Sequence, residues 1–221
     1  MSLYERLLLP RVVDFTCAAK PAMRQRAKVV PAAHGRVVEI GFGSGLNLPF
    51  YDPDRVEHLW ALEPSPAMWR LAAERVRAAR FPVEFVEAPA EGIPLPDRSA
   101  DTVLMTYTMC TLPDAAAALG EIDRLLKPGG ELLFCEHGEA PDPDVRRWQR
   151  RLNPLWSRLS GGCQLDRPIP AMLERAGFRL RSLSTMYLPG FRPATFNFWG
   201  SAAPMRRSRQ STSRKKERRC N

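Results

Sequence analysis

Short apolar runs alternate with longer amphipathic stretches along most of this chain. RVVEIG, EHLWALE, PVEFVE, DTVLMT and GELLFCE are brief and rich in Val and Leu, the pattern of strands covered on both faces. Between them, SPAMWRLAAERVRAAR and PDAAAALGEIDRLLK repeat apolar residues at helical spacing and predict amphipathic helices. Ser65 and Pro66 suit the start of the first helix, and Pro128-Gly129-Gly130 is expected to end the second. Repeated strand-then-helix order predicts an α/β fold, a mostly parallel sheet with helices on both faces. After Glu136 the pattern changes to a proline-rich link, a helical DVRRWQRRLNPLWSRLS and a short helix around AMLERAG. RLRSLSTMYL and ATFNFWGSA follow, and are expected to close the sheet as an antiparallel pair, which makes seven strands. No internal repeat or second domain is visible. The expected organisation is an N-terminal helical segment over 1–35, one domain over 36–203 and a basic tail over 204–221.

Charge changes this picture only at one end. The net charge is +9, but residues 206–221 hold eight basic residues and one acid, a net +7 that leaves +2 for residues 1–205. A nearly neutral body places any electrostatic contact in the tail, which lacks apolar periodicity and reads as a solvated, disordered end. Nucleic acid is therefore not an expected partner; a nucleic-acid-binding protein with a vestigial cofactor fold is the alternative outside enzymes. The five cysteines, Cys17, Cys110, Cys135, Cys163 and Cys220, show no CxxC pairing and are odd in number. That favours reduced thiols in a cytoplasmic setting, and neither a disulfide framework nor a zinc site; no metal is expected. The start, MSLYERLLLPRVVDF, carries charges inside its apolar pattern and is neither a signal peptide nor a membrane span. Leu3, Leu7 and Leu8 suit one face of a short helix packed on the domain, with contact to a membrane surface the lesser alternative.

The first strand runs into the most informative stretch, VVEIGFGSGLNLPFY, where Gly41, Gly43 and Gly45 follow the acid Glu39. In an open α/β sheet the first glycine turn lies near the switch point where ligands bind. A dinucleotide fingerprint would place a third glycine where Leu46 stands and continue into a long helix, which Pro49 interrupts. Glu39 is also poorly suited to a phosphate. A cationic ligand bearing a ribose suits these acids better, and Glu63, at the end of the second strand, is placed to accept ribose hydroxyls.

Together, the G-x-G-x-G turn with its preceding acid, the acid ending the second strand and LLKPGGELLF before the fifth resemble the class I S-adenosylmethionine (SAM) methyltransferases, over roughly residues 36–138. The resemblance implies a Rossmann-like fold, SAM as the cofactor and a small-molecule acceptor. It also implies that Glu39, Gly41, Gly43 and Asn47 surround the methionine moiety, with Gly45 and Thr106 also among the cofactor-binding residues. Glu63 and Pro64 would then lie at the ribose, and Ala90 and Glu91 at the adenine. Pro89 stands where many members carry an adenine-binding aspartate, leaving Glu91 or backbone carbonyls for that role. Further on, CEHGEAPD, NPLWSRLSGGCQLDRP and AMLERAGF are similar to the methyltransferase-like thiol S-methyltransferases, through Glu136, His137, Gly162, Cys163, Leu165 and Arg167. Quinone C-methyltransferases and phospholipid N-methyltransferases share much of that scaffold.

Methyl transfer from a sulfonium is an in-line displacement that asks mainly for alignment and exclusion of water. For a thiol acceptor a nearby base raises the thiolate fraction, and His137, just beyond the fifth strand, is the candidate catalytic residue; a backbone contact at the Gly138 turn is its alternative role. Tyr107 and Cys110 follow the fourth strand as floor or packing residues. Trp148, Trp156 and Phe191 are expected either as an apolar lid or as ordinary packing, and Cys163 as turn or pocket wall. His34 and His58 are expected in solvated loops before strands.

Overall fold

A computed structural model describes residues 9–205 of the chain. The Leu3, Leu7 and Leu8 stripe and the basic tail from residue 206 lie outside the described residues. Two helices, α1 (Leu9–Cys17) and α2 (Lys20–Val29), precede β1 (Gly35–Ile40), β2 (Val56–Leu62), α3 (Pro66–Ala78), β3 (Val83–Val86), β4 (Ala100–Thr106) and α4 (Ala115–Leu125). Then come β5 (Leu126–His137), α5 (Pro143–Leu159), α6 (Ile169–Arg175), β6 (Phe178–Tyr187) and β7 (Phe196–Pro204). The sheet has seven strands in the order β3-β2-β1-β4-β5-β7-β6. β1 to β5 pair in parallel, and β7 runs antiparallel between β5 and β6.

Side-chain alternation along the strands divides the interior in two. Val38, Ile40, Val103, Met105, Leu132 and Phe134 face α4 and α6. Their neighbours Val37, Leu104, Leu133 and Cys135 face the opposite layer, with Val29 of α2 and Ala72 of α3. Period-two alternation therefore also puts Glu39 on the α2 and α3 side. Helix starts follow local chemistry. The Ser65 hydroxyl accepts from the Met68 amide, and the Asp114 carboxylate from the amides of Ala116 and Ala117.

Three expectations are corrected. The helix before Pro128-Gly129-Gly130 ends earlier, at Leu125, and the Pro-Gly-Gly lies inside β5, where the register against β4 shifts between Ala100 and Thr102. His58 belongs to β2, where its ring packs on Trp60 and its Nε2 lies 3.2 Å from Glu84. β7 also runs past Ala203, with Pro204 paired to Phe178 and the Met205 amide donating to the Gly177 carbonyl.

One buried amide ties the C-terminal half together. Gln149 of α5 accepts from the Ala140 amide and donates to the carbonyls of Gly138, Leu165 and Pro193, at 2.9 to 3.0 Å. Replacing it strands several backbone groups away from water. Gln149→Leu is expected to lower stability by at least about 2 kcal/mol. For a domain of this size that is a fall in melting temperature of roughly 4–8 °C, read by thermal denaturation.

Candidate active site

The strand order reverses between β1 and β4, so the loops leaving their carboxyl ends diverge and open a crevice. The loop after β1 holds Gly41, Gly43 and Gly45, all with positive φ (70°, 60° and 77°). A Cβ on Gly41 would collide with the Thr108 side chain, so this position admits glycine alone. At Gly43 the nearest atom would be Met68 Cε at 3.4 Å, so a ligand's approach is left open there. A single 3-10 turn, Leu48–Phe50, follows in place of a long helix.

Beneath this loop, Glu39 is buried and accepts from Asn47 Nδ2 at 2.9 Å and Tyr51 Oη at 2.6 Å. Asn47 also donates to Thr106 Oγ1 at 2.9 Å. Arg26 of α2 completes the group: its Nη1 donates to Asn47 Oδ1 at 3.0 Å and to Thr106 Oγ1, and its guanidinium lies 5.0 Å from the centre of the Tyr107 ring. Burial pushes the Glu39 carboxyl up to about 7, against the opposing pull of the Tyr51 and Asn47 hydrogen bonds and of Arg26. Glu63 accepts from the amides of Gly43 (2.8 Å) and Ser65 (2.9 Å), which holds the glycine loop against β2. Burial raises its pKa while those two amides lower it. Pro64 is exposed and Ala90 buried, and Glu91 accepts from the Asp114 amide at the start of α4.

The second half of the crevice lies beyond β4 and β5. Tyr107, at the end of β4, has φ 54°, a left-handed conformation strained for a tyrosine, and donates through its hydroxyl to Asn197. Glu136 of β5 accepts from the amides of Thr108 and Met109 through Oε1, while its buried Oε2 has no hydrogen-bond partner. Burial lifts Glu136 to about 7, opposed by those amides. His137, the last residue of β5, places Nε2 3.1 Å from Cys163 Sγ, and Trp156 Nε1 lies 3.4 Å from the same sulfur. The Cys163 thiol is lowered, chiefly by its hydrogen bond with Cys110 and, against burial, by those with His137 and Trp156; the Cys110 thiol is raised by the same contact. Burial favours neutral His137, but contact with Cys163 outweighs it and holds the imidazole's proton more firmly than usual.

Glu39, Asn47 and Thr106 thus meet in one network, with Glu63 bracing the same loop. His137 turns to Cys163 and not to the backbone of the Gly138 turn. Trp148 and Phe191 lie exposed at the surface, so of the three aromatics only Trp156 reaches this cluster. His34 lines a cavity of about 480 Å³ with Arg55, Asp101 and Lys127 at the amino ends of β1 and β4, the far end of the sheet. Sequence reasoning missed Arg26. Within KPAMRQRAKV it reads as one of several solvated cations, and only the docking of α2 against β5 and β7, which turns it to Asn47 and Thr106, buries it.

The arrangement fits SAM. Arg26 Nε is buried without a hydrogen-bond partner, the Gly43 backbone is approachable, and the acidic side chains Glu39 and Glu63 suit a cationic ligand. Comparison with known proteins agrees. Residues 38–134 match a methyltransferase domain family. The human thiol S-methyltransferase TMT1B is 32% identical over 165 residues, covering 72% of this chain and 67% of that protein. A Thermus thermophilus demethylmenaquinone methyltransferase is 28% identical over 193 residues, covering 79% and 88%. A SAM-dependent methyltransferase structure from Thermotoga maritima superposes with a TM-score of 0.62 at 22% identity, covering 92% of this chain and 98% of that one. The chain belongs to the class I SAM-dependent methyltransferases. It spans only 59% of the rat TMT1B that it matches at 32% identity.

Glu39 gives this site a pH signature. Its folded pKa, about 7, lies above the ordinary value of 4.5, so the folded state keeps a proton that the unfolded chain releases. Its stabilising contribution is therefore full below the ordinary value and falls as pH rises to about 7. Glu39→Gln keeps an acceptor for Asn47 and removes the titration. Thermal melts across this window should show a shallower loss of stability for the variant than for the parent; parallel curves would show that Glu39 is ionised throughout.

Proposed function

We propose that this chain transfers the methyl group of SAM to a small, lipophilic acceptor, and that the acceptor atom is a thiol sulfur. One observation carries the thiol assignment: the acceptor side of the crevice presents His137, Cys110 and Cys163 as a cluster, in the segments that resemble the thiol S-methyltransferases. SAM, when bound, supplies an electrophilic methyl on a sulfonium. Arg26, Asn47 and Thr106 hold the carboxylate end of its methionine moiety, and Glu39 orients Asn47. Glu63 and Pro64 take the ribose, and Ala90 and Glu91 the adenine. His137, held against Cys163, takes part in activating the acceptor, while α5 screens the crevice from water. Among the described residues no helix is long and apolar enough to cross a membrane, and the four described cysteines are free, which supports a reducing, cytoplasmic setting.

A second reading, methylation of a quinone carbon, is favoured by the fuller coverage of the demethylmenaquinone methyltransferase. A screen of thiol, quinone, amine and phenol acceptors with SAM, read by mass spectrometry of products, separates the two. Methylated thiol is the expected product, and methylated quinone with no thioether would replace the first reading by the second. Calorimetry should show SAM binding and little NAD binding, with Glu63→Ala weakening SAM by about 1–3 kcal/mol.

A further inference from the structure

Three soft donors from distant segments converge beside the crevice. Cys110 lies in the turn after β4, His137 ends β5, and Cys163 follows the Gly161-Gly162 turn after α5. The two Sγ atoms and the imidazole nitrogen all lie within 4.8 Å of one another, with Nε2 and Cys163 Sγ 3.1 Å apart. Zinc bonds of about 2.3 Å to sulfur and about 2.0 Å to nitrogen place neighbouring ligands of a tetrahedral ion roughly 3.5–3.8 Å apart, so one ion can reach all three with small side-chain shifts.

The protein holds the donors in place. The Gln164 amide donates to the Cys110 carbonyl at 3.0 Å, fastening the two cysteine segments together. Arg167 Nη2 donates to the Leu112 carbonyl, and Asn153 accepts from the Leu165 amide and donates to Asp166. Trp156 lies against the Cys163 sulfur.

We propose that Cys110, His137 and Cys163 bind a zinc ion whose fourth position receives the acceptor thiol. Two thiolates and an imidazole form a donor set that selects zinc, and three protein ligands with one open position are the pattern of catalytic and not structural zinc. Metal binding stands on the donor geometry alone; the acceptor's role at the metal rests on the thiol reading above. On binding, the S–H bond breaks, its proton passes to water and a zinc–sulfur bond forms. The sulfur lone pair then forms the new bond to the methyl carbon as that carbon's bond to the sulfonium breaks, its electron pair leaving on the donor sulfur. Zinc keeps its oxidation state, so no redox partner is needed, and the neutral thioether product, a weaker ligand, departs. His137 serves here as a zinc ligand, and the metal, not the imidazole's basicity, generates the thiolate.

The test uses the full chain purified under reducing conditions with zinc present. Elemental analysis is expected to find about one zinc per chain, and Cys163→Ser to lose it while keeping the parent's circular dichroism and SAM binding. Cys110→Ser, at a buried position, is a second variant with the same expectation. The cobalt-substituted protein should show tetrahedral thiolate-ligand absorption that changes when thiophenol is added. Turnover of thiophenol should fall at least roughly 100-fold in Cys163→Ser, beyond the usual 10–100-fold effect of outer-shell changes. A parent protein without zinc, or one carrying a Cys110–Cys163 disulfide in its place, overturns the proposal. So does thiol methylation that survives chelation, or that returns in His137→Gln when the pH is raised; either leaves the thiol reading standing. Zinc bound with no thiol methylated supports the metal site and removes the thiol reading instead.

Discussion

A buried carboxylate organises this molecule. Glu39 lies on β1, at the point where the strand order reverses, and a buried carboxyl there is tolerated only with hydrogen-bond partners around it. Its donors Asn47 and Tyr51 come from the loop that the glycines shape, and Arg26, which donates in turn to Asn47, from a helix that precedes the sheet. Satisfying one acid therefore fixes the path of the glycine loop and the seat of α2 together. The Asn47 amide passes the constraint on to Thr106 at the end of β4, so the two strands flanking the crevice are joined by side chains as well as by their backbone ladder.

Much of the fold was legible because strand burial on both sides leaves a strong signal. The Val- and Leu-rich runs fall on β1 to β5, and the two late runs on the antiparallel pair. Boundaries were harder to read. Pro128-Gly129-Gly130 resembles a helix stop, yet a bulged strand also accepts it, and the parallel pairing with β4 decided the outcome. His58 stands inside the run EHLWALE that predicts β2, so the run already marks it as a strand residue, and its reading as a loop histidine is inconsistent with that run.

The proposed cofactor side of the site was readable because its residues cluster along the chain. The glycines, Glu39 and Asn47 fall within one short stretch, and Glu63 ends the next strand. The acceptor side was not. Cys110, His137 and Cys163 are dozens of residues apart, and the absence of close cysteine spacing argued against any shared ligand. Only the return of the loop after α5 against the turn after β4 brings them together. Arg26 was hidden for a related reason: a buried cation in a basic helix looks like its solvated neighbours until the helix is docked. The left-handed backbone of Tyr107 also has no sequence signature, since nothing about a tyrosine announces it.

The single amide of Gln149 joins α5 to the end of β5, to the segment carrying Leu165 and to the turn at Pro193. Three segments that share one side chain cannot fluctuate independently. The wall of the proposed acceptor crevice is therefore a single mechanical piece. A substrate enters either through a gap already present or by a swing of that whole piece, and loosening of one loop alone would have to break bonds that hold the other two.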